Sequence, residues 1–296
     1  MIPDQESDLK SIRSYYDHNT KRFLSYGKQR RTRTIHRQVW GKGVQTEEQA
    51  LHFVHQLILA ESNSLQPEQS RSLEVLDLGC GVGASLFYLA KNIGGNFSGL
   101  GLTISPLQAH QANEEAEINE LASCCKFIVG DFLSPPIRKK FDLIYSIEAF
   151  AHAYNPQAYF QVVKGLIKPG GRLILCDDFL DFEDGQKLLS KDHQFWLDAF
   201  RHGWQVKSVI SSTKVVELAA GVHLIPVKLL DLTPMLRLRP LPTRIFRLLS
   251  GVITAVASGD VYWQSVTGGQ ALQLCLANGL VAYRYLVFEN QSQENP

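Results

Sequence analysis

Val75-Leu76-Asp77-Leu78-Gly79-Cys80-Gly81-Val82-Gly83 is the stretch on which the fold turns. A short apolar run enters a loop with glycine at alternate positions, and a helical pattern follows from about Ala84 to Asn92. Glycine lets the backbone turn tightly and approach a ligand with no Cβ in the way. A G-x-G-x-G spacing alone is shared by several cofactor-binding loops. Two details narrow it. Asp77 lies two residues before the first glycine, where it would repel a pyrophosphate and suit a cationic cofactor. The spacing also differs from the G-x-G-x-x-G of dinucleotide loops.

On the C-terminal side the alternation continues. Strands are expected at Phe97–Leu102, Lys126–Val129, Phe141–Ile147 and Arg172–Cys176, with helices at Pro106–Ala122 and Pro156–Ile167. Pro169-Gly170-Gly171 is expected to stop the last of these helices. Short apolar strands alternating with amphipathic helices imply right-handed crossovers and a parallel sheet, so the fold class is doubly wound, Rossmann-like α/β. Upstream, Leu51, Val54, Leu57 and Ile58 repeat at helical spacing within Glu47–Ala60. Four segments follow: an N-terminal helical lid (1–70), a cofactor-binding core (71–183), a helical acceptor-pocket insertion with a strand near 223–230 (184–262), and a C-terminal helix and closing strand (263–296).

Bulk properties exclude several classes. Hydrophobic residues make up 45% and charged residues 20% of the 296, which is ordinary for a globular chain. Thirty basic against twenty-nine acidic residues leave no global charge to attract nucleic acid or an anionic membrane. The five cysteines are odd in number and none forms a C-x-x-C pair, so they read as reduced thiols rather than a disulfide framework or a metal site. The polar, acidic N-terminus resembles neither a signal nor a transit peptide, and no apolar run approaches the ~20 residues that span a bilayer. The expectation is a soluble cytoplasmic protein that binds no metal.

The Asp-Leu-Gly-Cys-Gly-x-Gly string resembles the first motif of class I S-adenosylmethionine-dependent methyltransferases, and the resemblance runs over about residues 72–180. It implies S-adenosylmethionine as methyl donor and S-adenosylhomocysteine as product. Asp77 then lies near the amino-acid end of the cofactor, with Gly79, Cys80, Gly81 and Gly83 packed against it. The second strand of such enzymes usually ends in an acid that binds the ribose. Here Gly101-Leu102-Thr103-Ile104-Ser105 puts Thr103 in that place, with Gln108 one turn on. This G-x-T-x-S-x-x-Q form resembles tocopherol and cyclopropane-fatty-acid methyltransferases. Gly130-Asp131-Phe132 matches the adenine turn: Asp131 would accept from the exocyclic amine and Phe132 would flank the base. Tyr16, Ile104 and Ile147 complete the expected cofactor shell.

The fourth strand runs into Ile147-Glu148-Ala149-Phe150-Ala151-His152, and in this fold its C-terminus faces the transferred methyl group. Glu148 and His152 are therefore the candidate catalytic residues: either suits a proton-accepting role where the acceptor must lose a proton. The alternative is that Glu148 orders the crevice and His152 is wall. Tyr15-Tyr16-Asp17-His18-Asn19-Thr20 with Ser146-Ile147-Glu148-Ala149 resembles sterol C-methyltransferases, which makes Tyr15 and Tyr16 lid residues. Phe150, Phe195, Trp196 and Phe200 are candidate acceptor contacts in an apolar chamber, or ordinary helix-packing core. The run Lys28-Gln29-Arg30-Arg31-Thr32-Arg33, with His36 and Arg37, is either a solvated face or a site for an anionic group such as a prenyl diphosphate.

The reading is methyl transfer at carbon, nitrogen or oxygen to a small, largely apolar acceptor, isoprenoid-bearing, indolic or phenolic. A nucleic-acid methyltransferase fits less well. Ser134-Pro135-Pro136-Ile137 precedes the fourth strand and lacks the aromatic of the base-methylating motif. A non-catalytic cofactor-binding partner protein and a dehydrogenase are the remaining alternatives. Oligomeric state is not legible.

Overall fold

A computed structural model describes residues 13, 17, 20, 32–65, 71–93, 96–183, 188–257 and 260–291. Their order is α1 (Glu47–Ser64), β1 (Leu73–Leu78), α2 (Ala84–Asn92), β2 (Phe97–Thr103), α3 (Pro106–Ile118), β3 (Cys125–Val129), β4 (Phe141–Ile147), α4 (Pro156–Leu166) and β5 (Ile167–Leu180). There follow α5 (Lys191–Gly203), α6 (Ser212–Ala220), β6 (Leu224–Asp231), α7 (Thr243–Ala257), α8 (Val261–Ala277) and β7 (Val281–Asn290).

The helices start where side-chain oxygens satisfy backbone donors that no helical carbonyl reaches. Thr46 and Gln49 form a reciprocal capping box at α1. Ser105 and Asn155 cap α3 and α4, each followed by proline in the first turn, where its missing N–H costs nothing.

The strands form one sheet in the order β3-β2-β1-β4-β5-β7-β6. The first five are parallel; β7 runs antiparallel to both β5 and β6. Strand order switches sides between β1 and β4, with β2 and β3 on one side and β5 on the other, which opens a crevice at their C-terminal ends, the usual ligand position in such a sheet. Helices cover both faces. One core contains Leu86, Phe127, Ile174, Phe200 and Tyr285, and the other contains Leu76, Phe141, Phe160, Leu286 and Phe288. The near-continuous burial of β1 and β4 is what a parallel strand covered on both faces demands.

Two elements differ from expectation. Pro169-Gly170-Gly171 does not separate helix from strand. The chain passes from Leu166 straight into β5, with an irregular register against β4 and Gly170 at φ +71°. β5 then continues to Leu180, because Arg172–Leu180 is paired along its whole length with β7. The expected boundary at 262/263 falls inside the first turn of α8. Among the described residues no helix is long and apolar enough to cross a membrane.

Candidate functional site

The crevice is a cavity of about 380 Å³, and its floor is the loop after β1. The Gly79 and Cys80 N–H groups both donate to Leu102 O, at 2.9 and 3.0 Å, which pins the loop to the end of β2. Gly79 has φ +96°, and a Cβ there would lie 2.4 Å from Ala149 Cβ. Gly83 has φ +85° and would meet the Phe127 ring at 2.5 Å. Neither position admits a side chain. The Gly81 backbone faces the cavity, whereas Gly83 lies behind it, at the start of α2.

Asp77 lines this floor and is buried. Burial pushes its carboxyl up to about 8, with the Tyr145 hydroxyl opposing the shift. No described cation pairs with it. A desolvated acid facing an open cavity, beside a loop that excludes side chains, fits a cationic ligand. Thr103, Ile104, Gln108, Asp131, Phe132 and Ile147 also line the cavity. The Thr103 hydroxyl donates to Gln108 Oε1 at 2.7 Å, and Gln108 Nε2 donates to Thr20 Oγ1 at 2.9 Å, so this wall is already cross-linked to the N-terminal segment. Asp131 Oδ1 accepts from Leu133 N at 2.9 Å, and burial raises its carboxyl pKa.

The opposite wall is an ion-pair network. Glu148 occupies the left-handed backbone region at φ +50°, a conformation that costs a non-glycine residue about 1 kcal/mol or more and persists only when surroundings hold it. Its N–H donates to Cys176 O at 2.8 Å. Its Oε1 accepts from Arg37 N (3.1 Å), Arg37 Nε (3.0 Å) and Tyr283 Oη (3.0 Å). The Arg37 guanidinium also forms a two-pronged pair with Asp178, at 2.9 and 2.6 Å, and lies 4.3 Å over the Tyr283 ring. Burial alone would raise the Glu148 carboxyl, but Arg37, His36 and Tyr283 hold it below its ordinary value. Burial would likewise depress the Arg37 guanidinium, and Asp178, Glu148 and Tyr283 raise it well above the usual range.

His152 and Asp177 stand beside this network. Burial drives the His152 pKa down to about 4, and its Nδ1 lies 3.2 Å from Gln205 O. A carbonyl can only accept, so Nδ1 carries the proton and the ring is neutral at pH 7. Asp177 accepts from Ala151 N and Asp178 N, and burial pushes its carboxyl up to about 7. Phe200, Trp204 and Val206 form the apolar wall. Trp204 is fixed there by its Nε1–H donating to Ser265 O on α8, at 3.0 Å. Among the described residues no cluster of His, Cys, Asp or Glu is arranged to hold a metal ion.

A family model described as a methyltransferase domain matches residues 69–219, just over half of the chain. The chain belongs to this methyltransferase family. Over 111 residues (37% of the chain) it is 36% identical to the chloroplastic tocopherol O-methyltransferase of Arabidopsis thaliana. That alignment spans only 31% of the relative's own length, under a third. The cyclopropane synthase MmaA2 of Mycobacterium tuberculosis superposes with TM-score 0.73 at 18% identity, covering 95% of this chain and 98% of that one. The geranyl diphosphate C-methyltransferase of Streptomyces coelicolor A3(2), crystallised with Mg²⁺, geranyl diphosphate and S-adenosylhomocysteine, gives TM-score 0.62 at 16% identity over 96% and 97%. These likenesses establish the class I methyltransferase fold.

Three of the expected acceptor contacts of this methyltransferase lie elsewhere. Phe150 is 1% exposed and packs on Tyr159, Phe160 and Phe179, in the core on the other face of the sheet. The short turn at Phe150–His152 sends Phe150 away from the cavity while leaving His152 on it. Phe195 packs against Phe246 in a tilted pair and lies under the Arg247 guanidinium. Trp196 is buried core one turn before Phe200 and does not line the cavity. Phe200 does line the cavity. Tyr15 and Tyr16 lie outside the described residues. Asp177, Asp178 and Tyr283 were not singled out from the sequence as parts of the site, and Arg37 was read with the basic run rather than as the partner of Glu148. The string Cys176-Asp177-Asp178 at the end of β5, an acidic pair closing an apolar strand, was the available signal.

Proposed function

We propose that this chain transfers the methyl group of S-adenosylmethionine to a small, uncharged, largely apolar acceptor of isoprenoid-bearing or related aromatic type. The observation that carries the proposal is one continuous cavity. It joins a glycine floor with an unpaired buried acid, Asp77, to an apolar wall of Phe200, Trp204 and Val206. The donor supplies an activated methyl group on a sulfonium, which leaves by in-line displacement. Asp77 holds the ammonium of its amino-acid end, Thr103 and Gln108 serve the ribose, and Asp131, Ile104 and Phe132 hold the base.

The acceptor end has a clear electrostatic sign. Asp77, Asp131, Glu148, Asp177 and Asp178 all line the cavity, and Arg37 is spent on two of them. Arg33 is spent on Glu115. Neither arginine is left to hold a diphosphate, and five acidic groups disfavour any polyanion, nucleic acid included. Glu148 is held too acidic and too fully bonded to act as the base, so we assign it to positioning. Where the acceptor is a hydroxyl, Asp177 is the group matched to taking its proton near neutrality.

Calorimetric titration with S-adenosylmethionine is expected to show a single site, and the absence of binding at millimolar ligand would end the reading. Prenylated, sterol-like, indolic and phenolic acceptors, screened by product mass, then define the acceptor. With a hydroxyl acceptor, Asp177→Asn is expected to slow turnover about a hundredfold with donor affinity retained. An unchanged rate removes Asp177 as base.

A further inference from the structure

Ile245, Leu248, Leu249 and Val252 follow the i, i+3, i+4, i+7 spacing by which a helix normally buries one face. On α7 that face is turned to solvent: the four side chains are 47, 69, 45 and 53% exposed. Phe246 and Ser250, a quarter-turn or more around the helix, face the protein instead. Phe246 packs on Phe195 and Arg247 pairs with Asp192, so α7 is fastened to α5, the helix that also carries Phe200 of the cavity wall.

Charge on this segment is of one sign. Between Asp231 and Asp260 the chain has four arginines, at 237, 239, 244 and 247, and no acidic residue. Arg237 stacks on Trp40 and Arg247 is paired, whereas Arg239 and Arg244 have no ion-pair partner among the described residues. An exposed apolar arc flanked by cations is the pattern of a helix lying in a bilayer interface. At 15 residues α7 is too short to span one. A second copy of the chain fits poorly: a two-fold contact through this face would bring the same unpaired arginines together.

We propose that the exposed face of α7 docks on a lipid bilayer bearing anionic headgroups, with Ile245, Leu248, Leu249 and Val252 entering the acyl boundary and Arg239 and Arg244 meeting the headgroups. This does not depend on the methyl-transfer reading.

The test is flotation of the full chain, without donor or acceptor, on phosphatidylcholine vesicles with and without phosphatidylserine. Binding is expected only with phosphatidylserine, and it should weaken as salt rises. Leu248→Glu with Val252→Glu is expected to cut binding at least tenfold with the melting temperature unchanged, since both residues face solvent. Arg239→Gln with Arg244→Gln should cost roughly twentyfold and flatten the salt dependence. No binding to either vesicle, equal binding to both, or unaltered binding by the glutamate variant overturns the proposal. So does a dimer by light scattering that the glutamate variant dissolves, because a second copy would then cover the face.

Discussion

Asp77 makes the site's chemistry measurable through protons. Its carboxyl is raised from 3.8 to about 8 in the ligand-free protein, so ionising it there costs about 6 kcal/mol more than in water. A bound ammonium offsets that cost and returns the carboxyl towards its ordinary value. At pH 7 roughly nine molecules in ten carry the proton before binding. Each binding event at pH 7 should therefore release close to one proton, and affinity should rise about tenfold per unit between pH 5 and 7. Above this window the ligand's own α-ammonium, with a pKa near ~8, begins to lose its charge.

Calorimetry in two buffers of different ionisation enthalpy reads the proton count directly. Asp77→Asn imitates the protonated acid, so its affinity should match the parent near pH 4 and fall about a thousandfold behind it at pH 7. The same variant carries an opposite signature in stability. A carboxyl whose folded pKa is raised binds a proton in the folded state that the unfolded chain has lost, so it destabilises the empty protein increasingly from pH 4 to 8. Asp77→Asn should thus stabilise the ligand-free chain by up to about 4 kcal/mol at pH 7 and by nothing at pH 4. A Kd unchanged from pH 5 to 7 with no proton release, or a variant that melts earlier at pH 7, would refute the argument.

Arg37→Met strips the countercharge from Glu148 and Asp178 and should cost about 3–5 kcal/mol at neutral pH in denaturant unfolding. Because the folded Glu148 pKa lies below its ordinary 4.5, its share of this stability is present above pH 4.5 and disappears as pH falls through the lower folded value. Phe150→Ala should destabilise by about 3–5 kcal/mol without changing the acceptor KM. Phe200→Leu, at the cavity wall, should raise that KM several-fold; equal KM effects from the two would show that the wall is misplaced. Nitrogen-15 spectra should show His152 as the Nδ1–H tautomer, with no titration until pH approaches about 4.

The donor half was legible because its determinants are local. A strand, three glycines and an acid lie within nine residues, and the stations at Thr103 and Asp131 sit where consecutive strands end on the same edge of the sheet. The acceptor half was not, because its geometry joins residues 111 and 141 positions apart: Arg37 with Glu148, and Arg37 with Asp178. An arginine at the end of a basic run reads as solvated when only its neighbours in sequence are visible. What buries it is the course of the N-terminal segment across the ends of β4 and β5. The aromatic residues fail for a related reason. Their type predicts burial, but only the placement within a single 3₁₀ turn or the phase of α5 decides whether Phe150 or Phe200 meets the cavity.

Net charge hides a further division. The chain as a whole carries +1, which argues for no charged partner. In space its charges segregate. Five acidic residues line the cavity beside two arginines that are already paired, and the stretch 232–259 carries arginines with no acid among them. These environments select oppositely. On the proposals above, the cavity favours a cationic donor and an uncharged acceptor, while α7 favours an anionic surface. An enzyme that takes apolar molecules from a membrane needs both properties and must keep them apart, since cavity carboxylates near anionic headgroups would repel the membrane. Arg247 is paired with Asp192 on α5, so it fastens α7 to the helix that carries Phe200 and is not among the cavity-lining residues.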